Sequence, residues 1–162
     1  MCSHTLGSSA CAAIPTIAVS TDIIVGFPGE TEEDFADTLD VVEQVRYDSA
    51  FTFIYSPRRE TEAATLPGQI PHELASERMG RLVEAVQRHA TERAQRFVWR
   101  SMDVLVEGPS RTDPSRLRGR IRHNKTVNFE GVAAPGELTD VEIASATSTT
   151  LAGDELLVAR LG

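Results

Sequence analysis

Apolar residues follow two periods in the first third of the chain and so predict three elements. Apolar runs stand before Gly26 and over 50–55, and between them Phe35, Leu39, Val42 and Val45 recur every three or four residues. This pattern predicts a strand, an amphipathic helix and a second strand. The connection is long enough for a right-handed crossover, so we expect the two strands to be parallel and this region to be α/β.

The start of the predicted helix carries a capping signal. Thr31 is the predicted N-cap, and Asp34 stands at the third helical position, which is typical of a capping box. Acidic residues in the first turn also favour the positive end of the helix dipole.

A long helix and a set of short strands are predicted for the rest of the chain. The helical period runs from Pro71 or His72 to about Arg100, weakened at Gly80, and we expect Trp99 near its end to pack into a core. Short apolar segments separated by turn residues then predict an all-β barrel of the OB type. The predicted strands are 102–106, 117–122, 127–129, 141–145 and 155–160, with a turn at Gly153-Asp154 before the last. The predicted domains are an irregular leader over 1–13, an α/β domain over 14–100 and the barrel over 101–162.

Charge is distributed unevenly along the chain. The net charge is −8, yet the segment from Arg111 to Lys125 holds six basic residues and one acid. Because a local basic patch matters more for polyanion binding than the total charge, RNA remains a possible ligand. The sequence has no apolar run long enough to span a bilayer and no signal-peptide pattern, so we expect a cytoplasmic protein without membrane contact.

The cysteine content gives little support to a metal site. Cys2 and Cys11, with His4 between them, match no standard zinc or iron–sulfur spacing. We predict no metal ligands and interpret both cysteines as ordinary thiols of the leader.

The loop after the first strand is the first candidate site. Ligands bind at the carboxyl ends of parallel strands, and this loop contains Gly26, Pro28, Gly29 and Glu30. Arg58 follows the second strand and is expected at the same edge, where it could pair with a carboxylate or phosphate. The alternative is a simple Pro-Gly turn with Glu30 as a helix-start acid and Arg58 as an exposed loop residue.

The basic segment is the second candidate site, with RNA as the predicted ligand. Alternation is expected to place Arg118, Arg120 and Arg122 on one strand face, where they would contact phosphates. Asn128 and Phe129 are predicted to add a base-edge contact and a stacking surface, although Phe129 also fits a core position. The remaining predicted RNA contacts are Arg111, Arg116, His123, Asn124 and Lys125. The alternative is a solvated basic face.

Several motifs resemble a known family in the right order along the chain. The segments Thr21–Thr31, Phe51–Arg58 and Val104–Ser110 resemble the C-terminal part of the radical S-adenosylmethionine methylthiotransferases. The segment Arg118–Phe129 resembles the TRAM domain of the tRNA branch of that family. The loop from Ser56 to Glu62 departs from the family pattern Ser-Pro-Arg-Pro-Gly-Thr-Pro by losing two prolines and a glycine, which would leave it less constrained.

The resemblance implies βα units from the end of a partial TIM-like barrel, followed by an RNA-binding TRAM barrel. It implies transfer of a 2-methylthio group to isopentenyl-adenosine beside the anticodon, with the tRNA anticodon stem-loop as partner and S-adenosylmethionine and [4Fe-4S] clusters as cofactors. The residues implied at the S-adenosylmethionine pocket are Asp22, Gly26, Pro28, Gly29, Glu30 and Arg58.

The resemblance also implies that parts of the enzyme are missing. The C-x-x-x-C-x-x-C cluster motif is absent, so we expect a fragment or truncated product that is inactive alone and that pairs with other chains at open barrel edges. The alternative is a non-catalytic RNA-binding protein or an inactive remnant of the enzyme.

Overall fold

The computed structural model describes residues 13–14 and 16–156. Most of the predicted leader, including Cys2, His4 and Cys11, lies outside the described residues, as does the predicted strand beyond Leu156. The chain forms two compact units, the first ending at His89 and the second beginning at Ala90. In the described part of the chain, no helix is both long and apolar enough to cross a membrane.

The first unit contains the predicted strand, helix and strand. β1 spans Ser20–Val25, α1 spans Glu32–Val45 and β2 spans Ser49–Ile54, and the strands are parallel. Thr31 caps α1 through the predicted capping box, because the Asp34 amide donates to the Thr31 hydroxyl and the Thr31 amide donates to the Asp34 carboxylate. A short 3-10 helix, Glu62–Thr65, precedes α2, which spans His72–Ala94.

The β1–β2 sheet has one packed face and one exposed face. Val25 packs with Phe35 and Val42 of α1 and with Leu82 of α2 in the core of this unit. On the opposite face Ile24, Phe51 and Phe53 are 55%, 65% and 51% exposed. Within the described residues neither strand has a further hydrogen-bonded neighbour, so the sheet keeps two open edges.

The second unit is a closed five-stranded barrel, as the pattern of short strands predicts. Its strands pair in the order β3-β4-β5-β7-β6, and only the β5–β7 pair is parallel. The core contains apolar barrel residues together with Ala94 and Phe97, which precede the first strand. The strand bounds are β3 Ser101–Pro109, β4 Leu117–Arg120, β5 Thr126–Glu130, β6 Leu138–Ala146 and β7 Thr150–Glu155.

The last barrel strand lies earlier in the chain than predicted. Gly153, assigned to a turn by its residue type, is in the middle of β7 and is buried. A Cβ on Gly153 would lie 2.1 Å from the carbonyl oxygen of Glu142. The glycine therefore permits close approach of β6 and β7 and does not mark a turn.

The end of the long helix also differs from the prediction. α2 stops at Ala94, and a 3-10 helix, Gln95–Phe97, leads to β3. Phe97 is buried, whereas Trp99 is 76% exposed and does not pack into the core. The helix ends early because residues after Ala94 turn to place Phe97 in the barrel core.

Candidate functional sites

The loop after β1 is held by contacts that use the Glu30 carboxylate. Glu30 Oε2 accepts hydrogen bonds from the Gly26 amide at 2.8 Å and from Arg78 Nη1 at 2.6 Å. Arg78 Nη1 also donates to the Glu30 carbonyl oxygen at 3.1 Å, and the Gly29 amide donates to the Gly68 carbonyl at 2.8 Å. Arg78 is buried and the Glu30 side chain is 11% exposed, so the Glu30 carboxylate stabilises the conformation of this loop.

Two glycines give this loop its shape. Gly26 has a φ of 75° and lies against α2, where a Cβ would be 2.9 Å from the Cβ of Ala75. Gly29 has a φ of 84° and no crowding, so its backbone conformation alone favours glycine. Pro28 is buried in the same loop. These residues build the turn.

A cavity of about 550 Å³ opens on the exposed side of the sheet. Asp22 of β1 and Arg58 of the loop after β2 supply the charges in its wall. The rings of Phe27 and Tyr55, which also line it, meet edge to face with centroids 5.2 Å apart. Of the predicted cofactor residues, the cavity wall therefore contains Asp22 and Arg58, and the structure adds the aromatic side chains.

Arg78 is a site-organising residue that the sequence pattern missed. It stands three residues after Ala75 and four before Leu82, both buried, so helical spacing placed it on the packed face of α2. A charged side chain is usually solvated, so its residue type argued against burial. The structure buries it between Glu30 and Glu32, with its guanidinium 5.5 Å from the Phe35 ring centroid.

Two rows of mostly polar side chains cross three strands of the barrel, and we call them the polar face: Arg118, Asn128 and Ala152 in one row, and Arg120, Thr126 and Thr150 in the other. Arg118 pairs with Asn128 and Arg120 with Thr126 in the β4–β5 register, and their inward neighbours Gly119 and Val127 are buried. Beyond β5, Ala152 and Thr150 of β7 continue the two rows.

Glu107 of β3 fixes the two arginines of the polar face. Its carboxylate lies 2.7 Å from Arg118 Nη2 and 3.0 Å from Arg120 Nε, and Arg120 Nη1 donates to Asn124 Oδ1 at 2.8 Å. The Arg120 hydrogen bond, helped by the charge of Arg118, lowers the pKa of Glu107 despite partial burial. Both guanidinium groups are thus held in place before any ligand binds.

Two predicted RNA contacts are buried, and this part of the prediction was wrong. Phe129 is fully buried in the barrel core, because alternation along β5 turns it inward with Val127. Lys125 is 4% exposed, and its Nζ donates to the Ser148 carbonyl at 2.5 Å. Neither side chain presents a surface to RNA.

The three alternating arginines do not share a strand. β4 ends at Arg120, and Arg122 lies in the following turn, 78% exposed, with Nη2 4.0 Å from Asp103 Oδ2. In the same turn Asn124 is exposed with a φ of 59°. His123 is partly buried, and its ring centroid is 5.0 Å from that of Phe97.

The remaining predicted RNA residues lie before β4. Arg111 is exposed in the loop between β3 and β4. Arg116 is partly buried, with Nη2 donating to the Gly153 carbonyl at 3.1 Å. Arg111 is therefore the more accessible of the two.

Comparison with known proteins relates both units to one enzyme class. Residues 95–156 match the family model described as "TRAM domain". The chain is 50% identical over 142 residues to the tRNA-2-methylthio-N(6)-dimethylallyladenosine synthase of Moorella thermoacetica, a match that covers 87% of this chain and 32% of that protein. The chain is a homologue of the tRNA methylthiotransferases.

Synthases of the same name from other bacteria give similar matches. That of Alkaliphilus oremlandii is 49% identical over 87% of this chain and 30% of its own length. That of Acetivibrio thermocellus is 50% identical over 86% of this chain and 29% of its own length. The chain thus spans about a third of the length of the curated relatives it matches, and its own residues 95–156 carry the TRAM-domain match.

Proposed function

We propose that this chain supplies the RNA-binding part of a cytoplasmic tRNA methylthiotransferase, with the polar face of the TRAM domain contacting the anticodon stem-loop. The observation that carries the proposal is the aligned row of Arg118, Arg120 and Asn128, with both guanidinium groups oriented by Glu107. The names of the relatives, which specify a methylthio group on a tRNA adenosine, support tRNA as the RNA.

The chemistry of the polar face suits a nucleic-acid backbone. Guanidinium groups bind phosphate oxygens through paired hydrogen bonds, and an asparagine side chain can both donate to and accept from a base edge. Thr126 of β5 and, beyond it, Thr150 and Ala152 of β7 have small side chains beside these groups, so a ribose-phosphate chain can approach closely.

The double substitution Arg118→Ala/Arg120→Ala tests the proposal. We expect weaker binding of an anticodon stem-loop RNA hairpin, and a slope of log K against log salt that is shallower by about two, one for each lost phosphate contact. The matched control is Arg81→Ala/Arg88→Ala, which removes the same charge from exposed ion pairs of the first unit. Equal affinity and slope for all three proteins would exclude the polar face.

The substitution Glu107→Gln tests the same surface in the opposite direction. It removes the negative charge between Arg118 and Arg120, so we expect tighter RNA binding and a steeper salt dependence. Glu137→Gln is the control, because it makes the same charge change in an exposed loop before β6. A decrease in affinity for Glu107→Gln alone would mean that fixed arginine geometry matters more than charge.

We further propose that the cavity of the first unit binds S-adenosylmethionine, which supplies the methyl-transfer and radical chemistry of this enzyme class. Its lining fits that ligand, since Arg58 can pair with the carboxylate, Asp22 can accept from the ammonium or ribose hydroxyls, and Phe27 and Tyr55 can contact the adenine. This proposal rests on the cavity and on the relatives' class.

The described residues do not fit an iron–sulfur cluster. Such clusters are held by cysteine thiolates, and the sequence has cysteine only at positions 2 and 11, before the described residues begin. We assign no step to a cluster. This favours a second candidate function, RNA binding without catalysis by this chain.

Calorimetric titration with S-adenosylmethionine separates the two candidates. Binding that is weakened by Arg58→Ala but not by Arg59→Ala supports the cofactor pocket, because the neighbouring Arg59 is exposed and does not line the cavity. RNA binding without any S-adenosylmethionine binding would favour the non-catalytic protein.

A further inference from the structure

Trp99 has an exposed aromatic side chain, and hydrogen bonds to β6 hold its backbone in place. It is the only tryptophan of the sequence and is 76% exposed. Its amide donates to the Ile143 carbonyl at 2.8 Å, and the Ile143 amide donates to the Arg100 carbonyl at 3.0 Å. These two bonds extend the pairing of β3 with β6, so the position of the Trp99 backbone is defined.

Neither the backbone preference of tryptophan nor burial of its ring explains why a tryptophan stands at position 99. Trp99 has a φ of 63°, in the left-handed region that bulky residues rarely adopt. A side chain in a core could compensate for that strain by burying apolar surface, but the Trp99 ring remains in solvent. An outlier of this kind at an exposed aromatic residue points to a binding role.

Trp99 lies at the end of the barrel that carries the basic β4–β5 turn. On one side of it in sequence, the Phe97 ring contacts the His123 ring at 5.0 Å between centroids. On the other side, Asp103 Oδ2 lies 4.0 Å from Arg122 Nη2. The segment from Phe97 to Asp103 is therefore tied at both ends to the turn whose exposed residues include Arg122.

The surroundings of the ring favour an anionic ligand with a flat apolar part. Arg100, next in sequence, is exposed, and the Arg122 guanidinium is 78% exposed on the neighbouring turn. Indole rings stack on nucleobases of any sequence, and adjacent arginines bind the phosphates that link them. An apolar protein surface would cover the ring but would make no use of the exposed charge of Arg100, and Arg122 has only a 4.0 Å contact with Asp103.

We propose that Trp99 is a stacking platform for an unpaired nucleobase of the RNA that occupies the polar face. This inference rests on the proposed RNA-binding function. It extends the RNA surface from β4, β5 and β7 to the residues just before β3, so the bound RNA would need at least one unpaired base beyond the phosphates contacted by Arg118 and Arg120.

Intrinsic fluorescence of the full chain provides a direct test. Because Trp99 is the only tryptophan, all tryptophan emission reports on this position. We expect quenching when an RNA hairpin with an unpaired loop is added, at the same concentrations at which binding is detected by anisotropy of the labelled RNA. A fully paired RNA duplex should bind with much less quenching, since it offers no free base.

Variants at position 99 separate stacking from other effects. Trp99→Leu should weaken hairpin binding about 5- to 100-fold, and Trp99→Phe should retain most of the affinity. Trp99→Gly relieves the left-handed strain, so it should lose affinity like the leucine variant while unfolding at higher urea concentration than the native chain. Leu138→Ala is the matched control, because Leu138 is a 71% exposed apolar residue of the same unit.

The outcomes distinguish this inference from the function on which it rests. Hairpin binding without quenching, with equal affinity for Trp99→Leu and the native chain, would overturn the stacking role and leave RNA binding intact. A concentration-dependent emission shift without RNA would identify Trp99 as a contact between copies and would also overturn it. If no hairpin binding occurs at any salt concentration, the proposed function fails first.

Discussion

At the residue scale, one buried guanidinium holds the loop after β1. Replacing it by Arg78→Met would leave the largely buried Glu30 carboxylate with only the Gly26 amide as partner. Breaking a buried ion pair in this way typically costs about 3–5 kcal/mol. We expect a loss of that size in the unfolding free energy of the first unit, measured by urea titration and tyrosine emission, since the sequence's two tyrosines, Tyr47 and Tyr55, lie there.

Arg81→Ala is the control for this prediction. Arg81 is on α2, like Arg78, and also pairs with Glu32 of α1, but its side chain is 43% exposed. Exposed ion pairs contribute less than about 1 kcal/mol. Equal losses for the two variants would mean that burial does not distinguish the pairs.

A second residue-scale prediction concerns Glu155, which fixes the start of the loop between β5 and β6. Its carboxylate accepts from the Thr139 hydroxyl and from the amides of Val132 and Ala133. The Thr139 hydrogen bond, with the two amides, lowers the pKa of Glu155 against the effect of partial burial. In Glu155→Gln the carbonyl oxygen can still accept from both amides and the NH2 group can donate to the Thr139 hydroxyl, but the charged acceptor is lost, so we expect a loss of about 1 kcal/mol at pH 7.

The lowered pKa of Glu155 predicts how the stability effect of Glu155→Gln changes with pH. Because the folded-state pKa is lowered, the contribution is present above the ordinary carboxyl pKa and disappears as the pH falls through the folded value. The difference between Glu155→Gln and the native chain should therefore shrink in acid, as followed by Trp99 emission. Glu130→Gln, at an exposed position of β5, should show no comparable difference at either pH.

Side-chain roles were less predictable than the positions of the elements. Alternation along β5 was sufficient to place Phe129 inside the barrel, yet its ring also suited RNA stacking. Lys125 was predicted to contact RNA because of its charge, and the charge of Arg78 gave no sign of its burial. Their burial depends on the Ser148 carbonyl and on Glu30, partners distant in sequence that no local pattern reveals.

At the element scale, glycines in different environments should respond to alanine in opposite ways. A Cβ at Gly153 in β7 would meet backbone atoms of β6 at 2.1 Å, so Gly153→Ala should destabilise the barrel by at least about 1–3 kcal/mol. Gly80 in α2 has nothing within 4 Å of its Cβ position, so Gly80→Ala should stabilise its helix by about 1 kcal/mol.

Urea unfolding of both glycine variants provides the measurement. Circular dichroism follows the helix, and Trp99 emission follows the barrel. A Gly153→Ala chain as stable as the native one would show that β6 and β7 can separate without cost.

Element prediction from sequence succeeded where the signal is local. The capping box at Thr31 and the apolar face of α1 predicted that helix, and the apolar runs predicted β1 and β2. The prediction of the last strand failed because glycine is a typical turn residue. The role of Gly153 is instead set by its close contact with Glu142 on the neighbouring strand β6. The parallel pairing of β5 with β7 likewise had no local signature.

At the scale of the whole molecule, the two units differ in whether their sheets have open edges. In the part of the chain that the structure describes, the barrel has no open edge, but the β1–β2 sheet has two and also exposes Ile24, Phe51 and Phe53. Exposed apolar strands with free edges promote association. We expect Phe51→Ser/Phe53→Ser to reduce light scattering on heating relative to the native chain.

Leu138→Ser is the control for that measurement, because it removes an exposed apolar side chain from the closed barrel. Similar scattering for the double variant and the native chain would locate the association surface elsewhere.

Closure of the barrel has a consequence for its synthesis. β3 finds one neighbour in β4 soon after both are translated, but its other neighbour, β6, and the final strand, β7, come much later. While Thr150–Glu155 is still inside the ribosomal exit tunnel, the interior side chains of β5 and β6 have no closed wall around them. The nascent barrel should therefore need protection by chaperones until translation has passed its last strand.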